Sequence, residues 1–197
     1  MTHEKERETV EVESVQTGVR IVAAAMAGAC SIAMGQASPS PATKRAHAET
    51  SFDVVVHAPY VETAELFGPE GERAWAGKHW DPQFIFPDAP RDEQGAVFTI
   101  QHGPLQAVWV IAQHDLAARH FQYVYFIPET MVCTIDLRFT PVDAATTKVH
   151  VTYARTAVSP DGDEHVAAMS DDDRKAGVKW QAAIDRYKSG LDAPHGH

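Results

Sequence analysis

Cysteine is scarce in this chain: 197 residues contain two, Cys30 and Cys133. Once an N-terminal leader carrying Cys30 is removed, as argued below, Cys133 stands alone and no internal disulfide can form. The strand-like run around it suits a small buried hydrophobe better than a nucleophile. The chain also lacks CxxC pairs, an HExxH helix and a GxSxG elbow. That removes the usual structural-zinc, zinc-protease and serine-hydrolase readings. Basic charge is in short supply, with 17 Lys and Arg against 27 Asp and Glu and a formal net charge of -10. No basic face remains to neutralise phosphates, so neither nucleic acid nor an anionic membrane is an expected partner. No apolar run reaches the roughly 18 residues of a spanning helix. What is present is ordinary for a globular protein: 44% hydrophobic and 22% charged residues, enough for one domain with a full core and a tail.

The N-terminal region departs from the rest. "MTHEKERETVEVESVQTGVR" is polar and charged; Arg20 then precedes the apolar "IVAAAMAGACSIAMG", and "QASPSPATKR" follows. A basic residue, a short apolar core and small residues before a cut form a secretory signal, with cleavage expected after Ala37. In a second option "AGAC" is a lipid-attachment site at Cys30, although Ala27 departs from the larger apolar residue usual there. Glu4, Glu6, Glu8, Glu11 and Glu13 do not suit an export signal, so either translation begins nearer Arg20 or the segment is a flexible tail. The expected layout is a tail with signal or lipoprotein segment and linker over 1–46, one domain over 47–191, and a short tail over 192–197. Export to the periplasm or outside is the leading expectation; a cytoplasmic protein with a flexible tail is the alternative.

From His47 onward the pattern settles. "SFDVVVHAP" reads as a strand ended by Pro59; "YVETAELFG" and "PEGERAWAG" read as two short helices divided at Gly68-Pro69. Six strand-like runs follow: "PQFIFP", "GAVFTIQHG", "LQAVWVIAQHD", "RHFQYVYFIPE", "MVCTIDLRFTP" and "TTKVHVTYARTAV". Ile135, Leu137 and Phe139 alternate with Thr134, Asp136, Arg138 and Thr140, and Val149, Val151 and Tyr153 with Lys148, His150 and Thr152. Such alternation means an antiparallel sheet with one wet face. The joining "VDAAT" is short enough for a hairpin although it lacks glycine. Val166, Met169, Trp180, Ile184, Tyr187 and Leu191 recur at helical spacing to the end, predicting one long amphipathic helix stopped near Gly190. Gly177 within it implies either close packing or a bend over a cavity. That helix is the one element large enough to cover the sheet.

This element order resembles the START-like, or SRPBCC, superfamily. The strings "GPEGERAWAGKHWDPQF", "GAVFTIQHG", "VWVIAQHD", "TKVHVTYARTAVSPDG" and "KWQAAIDRYKSG" are similar to a bacterial, polyketide cyclase/dehydrase-like branch of it. The resemblance spans residues 48–190 and implies an α+β helix-grip fold: a curved seven-stranded antiparallel sheet around a long C-terminal helix, with two short helices after the first strand. It also implies a cavity between sheet and helix, gated by the short helices and nearby loops. Expected ligand-binding residues are Trp80, Phe84, Phe98, Trp109, Tyr123, Tyr125, Tyr153 and Trp180, with Phe86, Ile100, Ile111 and Phe121 also on candidate cavity strands. The superfamily has no universal catalytic motif, so none is carried over.

Among titratable groups, His120 is the candidate acid–base residue, because it opens a strand of tyrosines and is expected at the cavity mouth. His79 with Asp81 is read as part of a rim loop, Asp136 with Arg138 as a surface pair, and Glu70 and Glu72 as solvated acids at a helix start. His102, His114 and His120 fall at different strand ends; with no tight ligand spacing, no metal and no cofactor is expected. The leading expectation is binding of a small hydrophobic or aromatic molecule, lipid or polyketide-like. The alternatives are a cyclase or dehydratase using the same cavity, and a protein-interaction module with a closed core.

Overall fold

The computed structural model describes residues 44–190. The leader, Cys30 and the tail over 192–197 lie outside the described residues. The elements run β1 (His47–Val56), α1 (Tyr60–Ala64), α2 (Pro69–Glu72), β2 (Gln83–Phe86), β3 (Val97–His102) and β4 (Leu105–Asp115). They continue with β5 (His120–Ile127), β6 (Met131–Asp143), β7 (Thr146–Ala157), α3 (Pro160–Asp173) and α4 (Ala176–Lys188). As far as β7 this is the expected order, with β1 starting at His47 rather than Ser51.

All seven strands form one antiparallel sheet in the order β1-β7-β6-β5-β4-β3-β2. The chain therefore meanders from β2 to β7, and β1 closes the far edge against β7. Register breaks in β2, β4 and β6 interrupt the ladder; such bulges bend a sheet and increase its twist. The β6–β7 hairpin turns without glycine through Ala144 and Ala145, where the Asp143 carboxylate accepts from the Ala145 N–H at 2.8 Å. An aspartate side chain thus does the work of the turn residue.

Alternation decides which side chains meet. Phe121, Tyr123, Tyr125 and Ile127 on β5, and Met131, Cys133, Ile135, Leu137 and Phe139 on β6, are all buried on the face that the helices cover. The register then aligns residues across strands. Phe84 pairs with Phe98, Phe98 with Trp109, Trp109 with Tyr125, Tyr125 with Cys133 and Cys133 with Arg155. One row of five strands and their neighbour β7 therefore carries four aromatics that end at an arginine.

The C-terminal helix is two helices, not one: α3 stops at Asp173 and α4 starts at Ala176. Two features fix the break. Asp173 is held inward by Arg155, with Nε–Oδ2 at 2.7 Å and Nη2–Oδ1 at 2.8 Å. Four residues on, Gly177 lies so close to Phe52 that a Cβ would sit 3.0 Å from the Phe52 Cβ. The close-packing reading of Gly177 fits this contact; the break itself falls before it, at Arg174 and Lys175. Ser159 caps α3, accepting from the Gly162 N–H at 3.0 Å, with Pro160 in the first turn.

Candidate functional site

Two adjacent spaces lie between the covered face of the sheet and α4. The inner one is a chamber of about 40 Å³, bounded by Phe98, Tyr123, Ile135 and Leu137. At about 10–15 Å³ per water-sized probe, it has room for a few waters and no larger guest. The outer one is a cleft of about 810 Å³ open to solvent, bounded by His102, Tyr125, Arg155, Met169 and the α4 residues Val178–Arg186. Glu72, Trp80, Trp109, Tyr153 and Trp180 border both, so they form the partition. A cleft of this size falls within the range typical of small-molecule sites. The expected closed-core alternative does not fit it.

Seven of the eight expected residues border these spaces: Trp80, Phe98, Trp109, Tyr123, Tyr125, Tyr153 and Trp180. Phe84 does not; its ring packs 5.5 Å from Phe98, one step farther along the aromatic row. Phe86 is mostly exposed on the edge strand. Trp109 stacks on Tyr125 at 4.2 Å and meets Trp80 edge-on at 5.6 Å. Trp180 is clamped between Trp75 at 5.2 Å and Phe52 at 5.3 Å, which anchors α4 to the sheet. The rim is narrower than the expected pair of short helices. Glu72 at the end of α2, and Trp75, Ala76, Gly77 and Trp80 after it, border the cleft, whereas none of α1 does. Arg73 fixes that segment, pairing with Glu70 and Asp81 at 2.8 Å each. Trp80 ties it to α2 by donating to the Pro69 carbonyl at 2.9 Å.

His120 is not at the cavity mouth. Tyr123 and Tyr125 face inward, so the side chain an odd number of positions before them faces the opposite side of the sheet. There the His120 Nε2 lies 2.5 Å from Asp136, which Arg138 also holds at 3.0 Å. Burial pushes the Asp136 carboxyl up, but the hydrogen bond from His120 and the charges of His120 and Arg138 outweigh it and hold the group low. This is a brace on the outer face of β5 and β6.

Glu72 also differs from its expectation as a solvated acid. It is 8% exposed and borders both chamber and cleft. In the single turn of α2 it shares the buried face with Pro69, three residues earlier. No hydrogen-bond or ion-pair partner meets its carboxyl among the described residues. Burial pushes this carboxyl well above the usual carboxylate range, and the charge of Asp92 pushes it further. Asp92 itself caps α2, accepting from the Glu70 N–H at 3.0 Å and the Gly71 N–H at 3.3 Å. A Cβ on Gly68 would collide with the Asp92 side chain, so a larger residue there would displace the cap.

Two further polar atoms at the cleft are buried without a partner: the Trp109 Nε1–H and the His102 Nε2. Burial, and then the charge of Arg155, lower the His102 imidazole's affinity for a proton. Arg155 is saturated. Its side chain is 4% exposed; it grips Asp173 with two nitrogens, donates to the Tyr125 hydroxyl and lies 4.7 Å over the Tyr153 ring. Burial and the neighbouring ionisable groups raise the Tyr125, Tyr153 and Tyr123 hydroxyls, so all three stay protonated. Cys133, behind Tyr125, is pushed up to about 11, chiefly by burial, and is a poor nucleophile. Among the described residues, no three His, Cys, Asp or Glu side chains converge as metal ligands. No described helix is long and apolar enough to cross a membrane.

No protein-family model matches the chain, and no curated protein matches it by sequence. Solved structures do match in shape. Norcoclaurine synthase from Thalictrum flavum, solved with dopamine and hydroxybenzaldehyde, superposes with a TM-score of 0.54 at 10% identity, over 78% of this chain and 91% of that one. A Thermobifida fusca protein solved by solution NMR gives 0.51 at 21% identity, over 76% and 97%. The di-domain ARO/CYC protein BexL of the BE-7585A biosynthetic pathway gives 0.53 at 19% identity, over 75% of this chain and 48% of that one. At such identities the likeness concerns the fold. With the sheet order and the helices on its inner face, it settles the architecture: the chain has the helix-grip fold that these structures share.

Proposed function

We propose that this protein binds a small, largely apolar aromatic molecule in the cleft between sheet and α4. One observation carries the reading: Trp80, Trp109, Tyr125, Tyr153 and Trp180 border an open space of about 810 Å³, and the residues around it include Trp109 and His102, whose buried Nε1 and Nε2 have no partner. In a closed core such groups would cost about 1–3 kcal/mol each, so their place at a cleft suits an exchangeable guest. Apolar burial, at about 25 cal/mol per Å², would supply most of the affinity and the polar groups the orientation. Native mass spectrometry of protein purified from its own host tests this, with a copurifying hydrophobic compound expected. Trp109→Ala should weaken its retention at least tenfold by removing the stacking wall. Protein that carries nothing and gains no thermal stability from any planar aromatic compound would refute the proposal.

A cyclase or dehydratase acting in the same cleft is the second reading, favoured by one specific observation. Glu72 is an unpartnered acid beside the cavity, and it rather than His120 would move protons. Turnover of an identified ligand that Glu72→Gln abolishes would establish it. Export remains a separate proposal resting on the apolar run and Cys30; N-terminal sequencing of the host protein tests it, and an intact Met1 would refute it.

A further inference from the structure

The spare hydrogen-bonding capacity around the cleft has a bias. The Trp109 Nε1–H can only donate. Glu72 in its acid form donates through its O–H, and no group among the described residues receives that proton. Two acceptors nearby are already used: Asp173 is taken by Arg155, and the Tyr125 hydroxyl oxygen accepts from the same guanidinium; the unpartnered His102 Nε2 is buried, and His102 borders the outer cleft but not the chamber beside Glu72. Donors without acceptors call for a ligand that brings an acceptor. Among the described residues no buried cation without a partner borders the partition, and that decides the ligand's charge. Arg155 is neutralised by Asp173, so a ligand carboxylate beside Glu72 would find no counter-charge within the partition. A neutral oxygen satisfies the donors without that cost.

We propose that the ligand is an aromatic ketone or comparable neutral carbonyl compound, and that Glu72 donates a hydrogen bond from its carboxylic acid to the carbonyl oxygen. This rests on the binding reading above and names the class of guest. The groups that face Glu72 agree with an acid form. Asp92 approaches from the β2–β3 loop, Tyr123 from β5 and Tyr153 from β7. His102 on β3, the saturated Arg155, and Lys179 and Arg186 on α4 border the same cleft farther out. The nearest formal charge is thus negative, and it works with burial to keep the proton on Glu72. Asp92 is a positioning residue in this arrangement: it caps α2 and so aims Glu72 inward.

The test compares two naphthalenes of one shape, 2-acetylnaphthalene and 2-isopropenylnaphthalene, by isothermal titration calorimetry on the full chain. The quantity read is the affinity ratio of ketone to hydrocarbon. Replacing Glu72 by Leu should lower that ratio about tenfold, the size of one neutral hydrogen bond, while Glu72→Gln, which keeps an N–H donor, should largely preserve it. The wild-type ratio should also fall as rising pH ionises Glu72, and the Glu72→Gln ratio should not. That second measurement needs no destabilising variant. If both compounds bind and neither Glu72→Leu nor pH changes the ratio, the carbonyl assignment fails while the cavity reading stands. If neither compound binds, both fail. Tighter binding of 2-naphthoate than of the ketone at neutral pH would also overturn the assignment, because it would require a free cation at the partition.

Discussion

Replacing Arg155 by Met should be among the most damaging single changes in the domain. The guanidinium joins β7 to the end of α3 through two bonds to Asp173, of 2.7 and 2.8 Å, with the two side chains 4% and 9% exposed. Methionine fills similar volume, so little is lost in packing, but Asp173 is left buried without its cation. That costs about 3–5 kcal/mol, and the Tyr125 hydroxyl loses its donor as well. For a chain of this size, each kcal/mol shifts the melting midpoint by about 2–4 °C, so a drop of about 6–20 °C is expected. The partner substitution separates a lost charge pair from general damage. Arg155→Met with Asp173→Leu removes both charges and should recover most of the loss, because a buried ion pair is worth little more than a well-packed apolar pair. Urea unfolding of both single variants, the double variant and the wild type gives the cycle. A single-variant cost below about 1 kcal/mol, or a double variant as unstable as the sum of the singles, would refute the reasoning.

Glu72→Gln should change how stability depends on pH. The carboxyl is raised from its ordinary 4.5, so the folded state keeps this proton at pH values where the unfolded chain has lost it. Wild-type stability contributed by this group therefore falls as pH rises from about 4.5 toward the raised value, by up to about 1.4 kcal/mol per pH unit. Glutamine has no such proton, so the variant gains on the wild type across that window; parallel stability curves would contradict this. His120→Ala should leave binding of 2-acetylnaphthalene unchanged, because the side chain lies on the outer face. It should cost about 1 kcal/mol at neutral pH, discounted for the partial exposure of Asp136. Because Asp136 is held low, the loss should shrink as acid protonates that carboxyl. Unfolding at neutral and acid pH measures it, and a binding defect without a stability defect would place His120 back at the cavity.

The architecture was legible because each strand declares its faces by alternation. Val149, Val151 and Tyr153 predicted the covered face of β7, and Ile135, Leu137 and Phe139 that of β6. The same rule carried one step further would have found two cleft residues that the reading passed over. Arg155 follows Tyr153 at the same parity, and His102 follows Phe98 and Ile100. Parity would also have put His120 on the far side from Tyr123. Glu72 was not recoverable this way. A helix of four residues has no period to read, and its burial depends on the Asp92 cap, 20 or more residues away in sequence. The division of the C-terminal helix was hidden for a like reason: an inward aspartate interrupts it, and its partner Arg155 lies on another element.

The central claim is a guest seated between the sheet and α4, and intermolecular nuclear Overhauser effects test it most directly. The probe is 2-acetylnaphthalene added to protein labelled at its methyl groups. The account predicts contacts from the naphthalene protons to the Met169, Val178 and Ala183 methyls, which border the cleft. Contacts to Val108 and Val124 instead, on the outer face of β4 and β5, would contradict it, as would no contacts at a saturating concentration of the probe.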